Sequence, residues 1–93
     1  MMKIALTRQF LQRYNSLSQI DRKLCDAALA ALPNAFGHPH RHAGLGVRAL
    51  RRGLYECRPS QSVRVGFTRH GDTLLLHTVG NHETIRTWLR ANS

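Results

Sequence analysis

The sequence predicts an α+β fold with element order β-α-α-β-β-β-β-α: a largely antiparallel sheet, a helical hairpin on one face and a C-terminal helix. Apolar residues recur at helical spacing in the first third of the chain, four short alternating runs with tight turns between them fill the second half, and an amphipathic segment closes it. Ninety-three residues supply material for one hydrophobic core, so residues 1–93 are expected to form a single domain.

Each element has its own signal. Residues 3–6 (KIAL) read as a short strand. Phe10, Leu11, Tyr14 and Leu17 then mark one face of a helix from about Thr7 to Leu17. Ser18 followed by Asp21 resembles a capping box, and Ile20, Leu24, Ala27, Ala28 and Ala31 give the second helix an apolar face that Pro33-Asn34 should end. Pro33 to Gly46 is rich in Gly, Pro and His and reads as one long surface loop. Val47–Arg51, Leu54–Arg58, Ser62–Thr68 and Thr73–Val79 read as four strands. Their connections, Arg52-Gly53, Pro59-Ser60-Gln61 and His70-Gly71-Asp72, are short enough to require antiparallel neighbours. Asn81 is placed to cap a last helix that carries Ile85, Trp88 and Leu89 at i, i+3, i+4. Ile20, Leu24, Val63, Val65, Phe67, Ile85 and Trp88 are the expected shared core, which leaves the sheet face opposite the hairpin open for a site.

Charge narrows the function. Fourteen Lys and Arg stand against five Asp and Glu, for a net charge of +9, and twelve of the fourteen are Arg, the residue suited to bidentate phosphate contacts. Arg41, Arg48, Arg51, Arg52, Arg58, Arg64 and Arg69 crowd a stretch whose one acid is Glu56, so a polyanion is the expected partner. Cys25 and Cys57 form no CxxC pair and the N-terminal residues hold no apolar signal core, which points to a reduced, cytoplasmic protein. The longest apolar run, Leu74 to Leu76, is too short to cross a bilayer, so no membrane association is expected. His38, His40 and His42 cluster in the loop, but nothing supplies a fourth ligand at zinc spacing; no metal and no cofactor are expected there.

Strand alternation puts Leu54, Glu56 and Arg58 on one face and Tyr55 and Cys57 on the other. Arg64, between Val63 and Val65, projects away from the core, so Glu56, Arg58 and Arg64 are expected on the open face. Gly53-Leu54-Tyr55-Glu56-Cys57-Arg58, Val63-Arg64-Val65-Gly66-Phe67 and Val79-Gly80-Asn81-His82-Glu83, in that order, resemble the RelE/ParE toxin pattern: a Gly-x-aromatic strand ending in a basic residue, an Arg-x-x-aromatic strand and a step into the last helix. The resemblance covers nearly the whole chain.

It implies a toxin of a type II toxin–antitoxin system that cleaves mRNA, in association with the ribosome, by 2′-OH attack to leave a 2′,3′-cyclic phosphate. It further implies a cognate antitoxin whose acidic, amphipathic segment covers the basic face. The alternatives within the resemblance are a non-enzymatic, ParE-like gyrase inhibitor and a catalytically degenerate RNA-binding member. Arg64 matches the arginine at the scissile phosphate, His82 a catalytic His or Arg position, and Glu56 an acidic position of some members. The chemistry needs a base for the 2′-proton, a cation for the phosphorane and an acid for the leaving oxygen. Glu56, Arg64 and His82 are the expected catalytic set, with Arg58 as a supporting cation. Arg48, Arg51, Arg52, Arg58, His40 and His42 are the expected RNA-binding residues.

Because each phosphate contact releases counterions, RNA affinity should fall steeply and linearly with log salt concentration in a filter-binding titration. Affinity that stays flat from low to moderate salt would remove the electrostatic basis of this reading.

Overall fold

The computed structural model describes residues 2–38 and 44–92. Its elements are β1 (Lys3–Leu6), α1 (Arg8–Asn15), α2 (Gln19–Ala35), β2 (Arg48–Arg51), β3 (Leu54–Cys57), β4 (Arg64–His70), β5 (Thr73–Gly80) and α3 (His82–Ala91), in the expected α+β order. The five strands form one sheet, β1-β5-β4-β3-β2. β2 to β5 are antiparallel neighbours, while β1 lies parallel to β5, reached through the helical hairpin and three further strands.

Local chemistry sets the helix starts. The Thr7 hydroxyl accepts from the Phe10 N–H at 3.1 Å and donates to the His77 carbonyl, so one side chain both caps α1 and ties it to β5. Ser18 Oγ accepts from Asp21 N–H at 3.1 Å, and Asn81 Oδ1 accepts from Thr84 N–H at 3.0 Å. Between β2 and β3, Arg52-Gly53 closes a tight hairpin in which Gly53 takes φ +79°, a conformation open to glycine at little cost.

Phe10, Cys25, Leu32, Cys57, Val63, Val65, Phe67, Leu74, Leu76 and Val79 pack into one cluster between the hairpin and one face of the sheet. Phe36, Tyr55 and Phe67 extend it with ring centroids 5.1–5.8 Å apart. Burial pushes the Cys25 thiol up to about 11 and Cys57 up to about 12, so both free thiols stay protonated at neutral pH. No helix among the described residues is long and apolar enough to cross a membrane.

Four expectations need correction. α2 does not stop at Pro33-Asn34 but runs on to Ala35, because Leu32 and Ala35 on either side of the proline are buried and hold the last turn down. That turn also shortens the expected loop. The buried face of α2 is Cys25, Ala28, Leu32 and Ala35; of the expected stripe Ala28 is buried, whereas Ile20 is 72 % exposed and Leu24 41 %, so these two point outward. Ile85 and Trp88 are buried but lie outside the main cluster. Finally, the face opposite the hairpin is not open: Trp88 lies against Gly66, where an added methyl group would come within 2.6 Å of its Cε3. α3 therefore covers part of the second face and makes it a second packed layer.

Leu32→Ala should lower stability by about 2–5 kcal/mol, whereas Ile20→Ala should change it by no more than about 0.5 kcal/mol. Urea unfolding of the two variants checks the assignment of the α2 faces; equal losses would contradict it.

Candidate active site

Pairing brings the predicted acid and its cations together on the α3 face. Glu56 sits midway along the sheet, with Arg48 of β2 and Gly66 of β4 as its Cα partners on either side. Arg64 stands two residues before Gly66 on β4 and so shares its face. Arg48 Nε donates to Glu56 Oε2 at 2.7 Å, and Arg64 Nε lies 3.7 Å from Glu56 Oε1, an ion pair beyond hydrogen-bond reach.

The three side chains differ in access. Glu56 is 2 % exposed, Arg64 16 % and Arg48 63 %. The carboxylate is therefore roofed by guanidiniums instead of standing open among them, which the sequence did not indicate. Among the described residues, Arg64 Nε is buried without a hydrogen bond. One carboxylate between two guanidiniums leaves a net positive charge, with a buried N–H donor in it that no protein acceptor satisfies. An oxyanion that reaches this point gains an ion pair and a charge-assisted hydrogen bond.

Gly80 is the Cα partner of Arg64, and the chain passes from it through Asn81 into α3. His82 opens that helix with an exposed side chain that makes no hydrogen bond or ion pair with the described residues. It lies two residues beyond Gly80, at a helix start whose free backbone N–H groups favour a phosphate.

The other arginines disperse. Arg58 follows β3; its N–H donates to the Leu45 carbonyl at 2.6 Å, and its aliphatic stem lies against Gly46, beside a cavity of about 390 Å³ shared with Gly44 and Gln61. It makes no ion pair with Glu56 among the described residues. Arg51 Nη1 donates to the Leu89 carbonyl at 3.3 Å near the end of α3, and Arg52 is exposed at the hairpin tip. Arg69 sits over the Phe36 ring at 5.8 Å, on the hairpin face. The basic stretch of the sequence thus divides between both faces of the sheet. Arg41, His40 and His42 lie outside the described residues.

A group that sequence reasoning did not assemble lies further along the same face. Thr68 Oγ1 is 2.8 Å from both His70 Nε2 and His77 Nε2, and the His77 ring lies tilted by 31° against Trp88 with the ring centroids 5.6 Å apart. Burial and the neighbouring His70 push the His77 pKa down, which keeps its ring neutral at neutral pH. The enabling feature is a bulge in β5: Gly66 pairs with Thr78 and Phe67 with Leu76, so His77 is the extra residue. No residue pattern announces it.

No protein-family model and no curated protein sequence matches the chain. Solved structures define the class of fold, that of the RelE-like toxins. The chain is similar to YafQ from E. coli, with a TM-score of 0.72, 13 % identity and coverage of 91 % of this chain and 98 % of that one. It is also similar to the toxin in a RelB–RelE antitoxin–toxin complex from Methanococcus jannaschii (TM-score 0.68, 15 % identity, 89 % and 95 % covered). A metal-bound toxin from Helicobacter pylori matches at TM-score 0.68 and 20 % identity, over 89 % of this chain and 97 % of that one.

Proposed function

We propose that the protein is the toxin of a type II toxin–antitoxin system and cleaves mRNA at the Glu56–Arg64–His82 site. The observation that carries this reading is the buried, hydrogen-bond-free Nε of Arg64 beside a carboxylate that holds its guanidinium in place. Leaving such a donor unsatisfied costs about 1–3 kcal/mol, more for a charged group, and a phosphate oxygen would recover that cost.

In the reaction, the 2′-oxygen bonds to phosphorus while the bond to the 5′-oxygen breaks, leaving a 2′,3′-cyclic phosphate and a 5′-hydroxyl. Arg64, with the exposed and movable Arg48, neutralises the charge that builds on the phosphorane oxygens. His82 gives its proton to the leaving 5′-oxygen, its protonated form favoured by the bound phosphate. Glu56 acts first by aligning the two guanidiniums; when Arg48 turns toward the RNA, its released Oε2 can take the 2′-proton. Arg51, Arg52 and Arg58 steer the RNA backbone without reading sequence. Translated mRNA as substrate, on the ribosome, would place the protein in the cytoplasm.

Relatives of the same fold were solved as RelB–RelE and DinJ–YafQ complexes, which supports an antitoxin partner here. An acidic amphipathic segment suits a surface of this charge.

The test is RNA cleavage by purified protein, with and without translating ribosomes, with the 3′ ends mapped. His82→Ala should lower the cleavage rate by ~10²–10⁴-fold with RNA affinity nearly unchanged, because proton transfer matters only in the transition state. A 2′-deoxy nucleotide at the scissile position should stop cleavage. Unchanged cleavage in both His82→Ala and Glu56→Gln would overturn the site, and inhibition of DNA gyrase without RNA cleavage would overturn the activity.

A further inference from the structure

We propose that His70 and His77 form a two-histidine site for a divalent transition-metal ion, Cu²⁺ in preference to Zn²⁺, on the α3 face of the sheet. The site is separate from the Glu56–Arg64 cluster and does not depend on the cleavage reading.

Two imidazole Nε2 atoms from adjacent strands aim at one hydroxyl oxygen, each at 2.8 Å. That oxygen carries a single proton, so it can donate to only one ring. The other ring must donate to it, and one Nε2 therefore bears hydrogen while the other presents a lone pair. Moving the hydrogen from Nε2 to Nδ1 on that one ring keeps both imidazoles neutral and gives two lone pairs directed at the same region. Nε2 of neutral imidazole is a common metal-binding atom. Metal–nitrogen bonds of about 2.0–2.1 Å are shorter than the present contacts to Thr68, so the rings must draw together to share an ion.

The surroundings allow that movement on one side and resist it on the other. His77 is half-buried with its ring tilted against Trp88, itself seated on Gly66, so that ring is held in place. His70 ends β4 at the exposed His70-Gly71-Asp72 turn and can adjust. The β5 bulge turns both His77 and Thr78 toward α3, between the core residues Leu76 and Val79.

The donor set also selects the ion. Imidazole nitrogens suit copper, zinc and nickel, and do not suit magnesium or calcium. No group of three or more His, Cys, Asp or Glu able to hold a metal exists among the described residues. The Thr68 hydroxyl and water must complete the shell. A site with two strong donors favours Cu²⁺, which stands highest in the divalent affinity order, over Zn²⁺, which usually takes four protein ligands when structural.

Trp88, the single tryptophan of the chain, reports directly because the His77 ring lies against it at 5.6 Å. Full-length protein titrated with Cu²⁺ near pH 7.5 should show saturable quenching at one ion per chain, and the electron paramagnetic resonance spectrum should show two coupled nitrogens. Zn²⁺ should compete only at higher concentration. His70→Ala, at an exposed position, should keep the unfolding midpoint of the metal-free protein, lose one coupled nitrogen and weaken binding more than about tenfold, since even outer-shell losses cost about 10–100-fold. The double variant His40→Ala/His42→Ala should bind like the parent. Quenching that does not saturate, or that survives His70→Ala at unchanged concentration, would overturn the site, as would its loss in the loop variant.

Discussion

Glu56 carries its charge to a place where 2 % of its side chain meets water, and burying a carboxylate in this way costs several kcal/mol unless cations answer it. Arg48 and Arg64 answer it from the strands on either side, and much of the α3 face follows from that requirement. Arg64 is drawn inward until its Nε is buried, while Arg48 forms the exposed side of the cluster. Two guanidiniums against one carboxylate leave the cluster positive, and because the Arg64 contact is an ion pair without a hydrogen bond, its Nε stays an unsatisfied donor. In the proposed reaction that donor is the one a phosphate oxygen would take.

Trp88 completes the arrangement. Gly66 lies between Glu56 on β3 and Thr78 on β5, and its missing side chain makes room for the indole. The indole seals the middle of the face, with the charged cluster on one side and the Thr68–His77 pair on the other. One absent methyl group thus lets α3 sit close enough to bury Ile85 and Trp88. It also sets where His82 emerges, since α3 begins directly after the strand that pairs with Arg64.

Much of this was legible in the residues. Tight turns at Arg52-Gly53 and His70-Gly71-Asp72, with Ser18 and Asn81 as caps, marked strand and helix limits to within a few positions. The placement of Glu56 and Arg64 on one face followed from strict alternation. Four features were not legible, each because tertiary packing decided it. Ile20 and Leu24 are more apolar than Cys25, so they mark the stronger pattern on α2, yet Cys25 and the small Ala28 are the ones that fit against the sheet. The bulge at His77 breaks alternation without a Gly or Pro to signal it. The closure of the second face depends on Gly66, which reads locally as a weakness in a strand and not as a seat for a ring two elements further along the chain. The depth of Glu56 could not be read either, because alternation gives the face of a residue but not what lies above it.

The central claim is that Arg64, aligned by Glu56, receives the scissile phosphate. A two-dimensional ¹⁵N–¹H spectrum of the arginine Nε–H groups tests it directly, recorded as a short RNA with a 2′-deoxy nucleotide at the cleavage position is added. The account predicts a shift of the Arg64 Nε–H resonance that follows RNA saturation and is lost or displaced in Glu56→Ala, where the guanidinium is no longer held. An Arg64 resonance that stays in place while the RNA binds and the other arginine signals move would contradict it.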